Sequence, residues 1–117
     1  MENLSNLFKL LSDETRIRIL MLLFQSPMCV CDLSFIMKES QPKISKHIAK
    51  LRDLDFITGK KSEQYILYSL NKNNLLLIKI LNYIFLNLNS YDQLEKDYNF
   101  FNSKENSLKF CSIKKIN

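Results

Sequence analysis

Ser40-Gln41-Pro42-Lys43-Ile44-Ser45-Lys46-His47-Ile48-Ala49-Lys50-Leu51-Arg52 is the stretch on which the fold turns. Ser40 reads as a helix cap, and proline follows in the first turn, where a missing N–H costs nothing. On a 3.6-residue wheel Ile44, Ile48 and Leu51 share one face. Ser45, Lys46, Ala49 and Lys50 share the opposite face, which has no large apolar residue. One side packs and the other is left to meet a partner. The spacing predicts a helix to about residue 54. Beyond it the period changes. Phe56-Ile57-Thr58 and Tyr65-Ile66-Leu67-Tyr68-Ser69-Leu70 are rich in β-branched and aromatic residues. The six residues between them, Gly59-Lys60-Lys61-Ser62-Glu63-Gln64, read as the basic tip of a β-hairpin.

Upstream lie three more helices. Leu4, Leu7, Phe8 and Leu11 at helical spacing place the first over about 3–11. Ser12 reads as the cap of the second, with Asp13 and Glu14 in the first turn, where the helix dipole favours carboxylates. That helix continues to about residue 24 and is apolar on more than one side, and Ser26-Pro27 stops it. The third runs over about 30–38, with Leu33, Ile36 and Met37 inward. Downstream, a fifth helix over about 74–88 is apolar nearly all round. Such a helix must be covered on several sides, and in so small a chain a second copy is the natural cover. The order is helix, helix, helix, helix, hairpin, helix. It predicts a mainly α fold, a winged helix-turn-helix with a two-stranded wing and flanking dimerisation helices. Residues 1–89 make up the DNA-binding and dimerisation domain, and 90–117 read as a C-terminal tail, partly helical or flexible.

The bulk properties narrow the function. The chain has 117 residues, enough for one compact domain and too few for a barrel or full dinucleotide-binding enzyme. One Gly and two Pro are too few for an all-β fold. The N-terminus has no secretory pattern. The most apolar stretch, 75–88, carries Lys79, Asn82 and Asn87 and is too short and polar to span a bilayer. The expected location is therefore the cytoplasm, with no membrane partner and with Cys29, Cys31 and Cys111 reduced at rest. A single His offers no base for a hydrolytic set, and no reductase motif is present, so an enzyme is not expected.

Charge points to nucleic acid. Residues 41–61 carry six cations against two acids, four of the chain's net five positive charges. Charge gathered on one helix and the adjoining hairpin is the footprint of a phosphate-binding surface. Gln41, Ser45 and Lys46 are placed to meet base edges of double-stranded DNA, and Lys43, Lys50, Lys60 and Lys61 to meet phosphates. His47, at the edge of the apolar face, reads as a packing or phosphate-contacting residue. DNA binding is expected to need no cofactor.

Three segments resemble one family. Leu7-Phe8-Lys9 through Asp13-Glu14-Thr15-Arg16-Ile17-Arg18-Ile19-Leu20 is similar to the opening of ArsR-type metal- and metalloid-responsive repressors. Ser40 to Ile48 resembles their recognition helix, and Cys29-Val30-Cys31-Asp32-Leu33 their arsenical-sensing box. The likeness covers roughly residues 4–70. It implies a homodimer joined through its first and last helices on a palindromic operator, repressing until a ligand releases the DNA. The implied inducer is As(III) or Sb(III), arsenite or antimonite, held by Cys29 and Cys31. Cys111 or a small external thiol would supply a third sulfur. Two positions depart from the pattern. Ser34 stands where the arsenical box has a third Cys, and the wing turn has no glycine.

Two cysteines at i and i+2 cannot both be helical and grip one atom, so binding is expected to deform the first turn of the third helix. The helix N-terminus is expected to lower the thiol pKa. Zinc fits poorly, because the relatives that sense it use His and carboxylates on the last helix, which has no His here. The alternative reading is a thiol-based redox-sensing repressor in which Cys29 or Cys31 pairs with Cys111.

Overall fold

The computed structural model describes residues 1–104. Four helices come first: α1 (Glu2–Leu11), α2 (Glu14–Gln25), α3 (Val30–Met37) and α4 (Gln41–Asp53). Strands β1 (Ile57–Ser62) and β2 (Tyr65–Leu70) follow, then α5 (Leu75–Leu86), a short 3-10 turn at Leu88–Ser90, and α6 (Asp92–Ser103).

Short polar side chains set the helix ends. Asp13, not Ser12, caps α2, its carboxylate accepting from the Arg16 N–H at 3.0 Å. Ser12 instead closes α1, its hydroxyl donating to the Lys9 carbonyl. The Ser40 and Asn74 side chains accept from the N–H groups of Lys43 and Leu77 and start α4 and α5. No glycine was available to end α3, and Lys38 takes the left-handed conformation there with a φ of 57°. The Ser34 hydroxyl ties that turn shut by donating to the Glu39 carbonyl.

The core is built around α2. Ile19, Leu20 and Leu22 are fully buried, together with Leu10, Leu33, Ile44, Leu51, Ile57, Leu77 and Leu81 from the surrounding elements. Ile44, Ile48 and Leu51 are the buried residues of α4, the stripe its periodicity marked.

β1 and β2 form an antiparallel wing with Ile57 opposite Leu70 and Ser62 opposite Tyr65. The turn is only Glu63-Gln64, and Glu63 takes a φ of 55°, the role a glycine would fill without strain. Lys60 and Lys61 therefore lie within β1 and not in a loop, a correction to the longer tip read from the sequence. Strand pairing wins because the alternation of Tyr65 to Leu70 finds partners as far as Ser62. The one glycine answers a different need. Gly59 faces Tyr68, and a Cβ there would stand 3.0 Å from the Tyr68 ring and 3.0 Å from Ile66 Cγ2.

Of the segment read as a tail, 92–103 form α6, which packs on α2 and α3. Buried Asp97 accepts from Arg18 Nε at 2.8 Å and Arg18 Nη2 at 2.9 Å, and the same Nη2 reaches the Met37 carbonyl at 3.2 Å. Phe100 stacks at a tilt on Phe35, with ring centroids 5.6 Å apart. Tyr98 meets Phe85 edge-on at 5.4 Å. The ion pair and rings fasten α6 across the helix-turn-helix.

Candidate nucleic-acid interface and thiol site

The polar face of α4 is its exposed face. Gln41, Lys43, Ser45, Lys46, Ala49 and Lys50 are all exposed, as are Lys60 and Lys61 on the wing. Lys43 also pairs with Glu39 one turn back. Both side chains keep water, so the pair adds little to stability and the lysine can turn to another anion at small cost.

His47 differs from the other residues singled out on this helix. It is half-buried, and burial lowers its pKa; the neighbouring Asp13 charge works the other way, and the Arg16, Lys43 and Lys46 cations add to the lowering. A ring held neutral at pH 7 adds no charge to a phosphate surface. The packing half of the sequence reading accounts for its place.

The two cysteines lie at the N-terminus of α3. Cys29 is the N-cap and has extended backbone, with φ −90° and ψ 169°. Cys31 sits one residue into the helix. The extended cap swings the Cys29 side chain back, and the two Sγ atoms come within 2.9 Å. That is closer than ordinary contact and longer than the roughly 2.05 Å of a disulfide. The i, i+2 pair converges here with α3 intact. The two are not both helical, as their spacing required: Cys29 stands outside the helix. The Asp32 carboxylate joins them, the three ligand atoms all lying within 4.8 Å of one another.

The electrostatics correct one expectation. Cys29 is 2% exposed, and that burial pushes its thiol pKa up. Backbone hydrogen bonding near Asp32 pulls it down, as a helix N-terminus should, but the Asp32 charge pushes it up again. Burial outweighs the helix terminus here.

Both cysteines open on one cleft of about 390 Å³. Gln41 and Ser45 of α4 form one wall, and Gln64, Tyr65, Ile66 and Tyr68 of the wing form another. The sulfur pair thus shares a cavity with two elements read as DNA-contacting. Sequence reasoning did not find this cleft, because residues 29–31, 41–45 and 64–68 meet only through the fold. It also missed the Met28–Tyr68 bridge. Met28 N–H donates to the Tyr68 carbonyl at 3.0 Å, and Tyr68 N–H donates to the Met28 carbonyl at 2.8 Å. Ser34, at the third-cysteine position, is engaged with Glu39. Cys111 lies outside the described residues.

Residues 13–58 match the family model described as bacterial regulatory protein, arsR family. Over 93 residues the chain is 33% identical to the cadmium resistance transcriptional regulatory protein CadC of Listeria innocua, covering 79% of this chain and 74% of that one.

The chain belongs to the ArsR family.

Over 66 residues this ArsR protein is 44% identical to the arsenical resistance operon repressor of Escherichia coli, 56% of each chain. It spans little more than half the length of that relative. Its fold is similar to that of HlyU from Vibrio cholerae N16961, with a TM-score of 0.66 at 25% identity, over 71% of this chain and 88% of that one. ArsR proteins are winged helix-turn-helix transcriptional regulators and not enzymes, in line with the sequence reading. Among the described residues no helix is long and apolar enough to cross a membrane.

Proposed function

We propose that this ArsR protein is a cytoplasmic repressor that binds operator DNA as a homodimer and releases it when arsenite or antimonite binds Cys29 and Cys31. The observation that carries the reading is the 2.9 Å sulfur pair opening on a cleft shared with α4 and the wing. Soft thiolates select thiophilic ions, and a ligand at this pair touches the DNA-reading elements directly. The arsenical and cadmium resistance regulators among the relatives support a metal-responsive role.

Arsenite near neutral pH is arsenous acid, As(OH)₃. Each thiol that replaces a hydroxyl forms one As–S bond, breaks one As–O bond and releases one water, with no net proton uptake or release. Two exchanges use Cys29 and Cys31. Cys111 is the proposed source of a third. Phe100 of α6 packs on Phe35, one turn beyond Cys31, so α6 brings the chain to the same helix. From Lys104 the seven residues to Cys111 can span up to about 24 Å. The same chain can therefore supply the sulfur, and a small external thiol is the other source.

In this reading residues 1–89 bind DNA and dimerise. Gln41, Ser45 and Lys46 face bases, Lys43, Lys50, Lys60 and Lys61 meet phosphates, and His47 packs behind them. The dimer uses the apolar faces that α1 and α5 leave open, where Phe8 is 58% and Leu86 72% exposed beside Leu4, Leu75, Leu76 and Tyr83. Burying such side chains gains about 1 kcal/mol or more each, on the order of 10 kcal/mol over two copies before the cost of association.

The test uses a DNA fragment selected from a random pool by the reduced protein. Arsenite or antimonite should release it. Peroxide should not, because in this reading release needs a metalloid centre joined to both sulfurs. Release by peroxide but by neither metalloid would establish the redox alternative and overturn this one.

A further inference from the structure

We infer that α6 aims the reading end of α4, and that Asp97, acting through Arg18, is a positioning residue for base recognition; this rests on the DNA-reading role proposed for α4 above. Asp97 is 5% exposed, so it acts on the DNA-facing side through the groups it holds.

The core leaves a gap in the helix-turn-helix. It holds α3 as far as Met37 and takes up α4 again at Ile44, and no residue from 38 to 43 is buried. Gln41 and Lys43 lie inside that stretch, and Ser45 and Lys46 follow directly. The turn is also strained. Lys38 stands at φ 57° and ψ 40°, a left-handed conformation disfavoured for any residue with a Cβ. Polar contacts therefore set its place.

Two of those contacts lead to α6. Lys38 Nζ stands 5.3 Å from the centre of the Phe100 ring. Arg18 Nη2 donates to the Met37 carbonyl at 3.2 Å, at the C-terminal end of α3, where the last carbonyls lack helical partners and a cation is favoured. One such bond does not hold a long side chain still. Asp97 does, taking Arg18 Nε at 2.8 Å and Nη2 at 2.9 Å, so the guanidinium has a fixed plane. Gln93 Nε2, one turn earlier on α6, donates to Asp97 Oδ1 at 3.0 Å and fixes the carboxylate. The Ser34 hydroxyl ties Glu39 to the same end of α3, so the turn moves with Met37.

Hydrogen bonds to base edges tolerate a shift of about half an ångström, so a turn that drifts by more loses them. Phosphate contacts from flexible lysines absorb the same drift. Loosening the clamp should therefore cost sequence recognition and spare general DNA binding.

The test is fluorescence anisotropy with the selected duplex and a random-sequence duplex of the same length, at a temperature where circular dichroism shows each protein folded. Asp97→Asn keeps the shape of the side chain and removes its charge. On electrostatics alone, losing a negative charge tightens binding to any DNA. A positioning role predicts the reverse for the selected duplex, a loss of at least about fivefold, with random-duplex affinity within about twofold of wild type and the salt slope unchanged. A smaller loss on the selected duplex, or an equal loss on both, overturns the inference. The Arg18→Met, Asp97→Leu variant separates aiming from stability, because it removes both charges and the bond to Met37 together. Its selected-duplex affinity should stay at least about fivefold below wild type where its stability recovers; recovery of both overturns the inference. If the wild type does not prefer the selected duplex, the proposed function fails, and amide exchange by NMR on the DNA-free protein still reads the hold on the turn. Asp97→Asn should then speed exchange of the Glu39 N–H, which donates to the Ser34 carbonyl at 3.3 Å, at least about fivefold relative to that of Leu20 in α2. A smaller change overturns the coupling.

Discussion

Replacing Asp97 by alanine probes whether α6 is part of the working fold. The Asp97 side chain is 6% exposed and that of Arg18 16%. The carboxylate takes two charge-assisted hydrogen bonds from Arg18 and one from Gln93 Nε2 at 3.0 Å. Its loss strands a guanidinium with the Met37 carbonyl as its remaining partner in this cluster. Breaking a buried pair from one side costs about 3–5 kcal/mol. Water still reaches Arg18, which puts the expected cost at the lower end, about 3 kcal/mol. For a domain near 100 residues that is a fall in Tm of roughly 10–20 °C. The assay is denaturant and thermal unfolding at one fixed protein concentration, since dimerisation adds to apparent stability. The Arg18→Met, Asp97→Leu pair removes both charges and should recover most of the loss. A cost below about 1 kcal/mol for Asp97→Ala, or no recovery in the double variant, refutes the reasoning.

Other outcomes follow from the same contacts. Ser45→Ala with Lys46→Ala should weaken binding to the selected DNA by about 1–3 kcal/mol and relax its sequence preference, read by fluorescence anisotropy; unchanged binding would remove α4 as the reading element. Lys50→Ala should lower affinity for every sequence alike and reduce the salt slope by about 1.8, roughly 0.9 for each copy in the dimer. Phe8→Asp with Leu86→Asp should turn a dimer into a monomer in sedimentation at micromolar concentration. Because Cys29 stays protonated until its raised pKa, the rate of arsenite capture should climb about tenfold per pH unit between pH 6 and 8, while the equilibrium stays nearly flat, since no proton is exchanged. Stability carries the opposite sign: a raised thiol pKa stabilises at neutral pH, and that contribution is lost as pH rises above the ordinary thiol value and through the raised one.

The sequence made the helix-turn-helix legible because its signals are local. Ser40 with Pro42, the Ile44-Ile48-Leu51 stripe and the aromatic alternation of Tyr65 to Leu70 each fix an element within a few residues. The cap of α2 was off by one because Ser12 and Asp13 are both good caps, and only the position of the Arg16 N–H chooses between them. α6 was hard to read because its inward face carries Asp97, which breaks the apolar period, and its partner Arg18 is 79 residues away. The cysteine pair and its spacing were legible in the sequence, but its geometry was not. Starting the helix near residue 30 left Cys29 outside it, but nothing local fixes the extended backbone that brings the sulfurs together. The cleft they share with Ser45 and Tyr68 exists only in the folded chain.

The central claim is that Cys29 and Cys31 connect a metalloid to DNA release. It is tested most directly by adding arsenite to the selected DNA complexed with the reduced wild type or with the Cys29→Ser, Cys31→Ser double variant, followed by anisotropy. Both proteins should bind the DNA equally well without arsenite, because the exposed face of α4 contains no thiol. Arsenite should release the wild type with at least a tenfold loss of affinity and leave the double variant bound. A double variant that leaves the DNA as readily as the wild type would contradict the account.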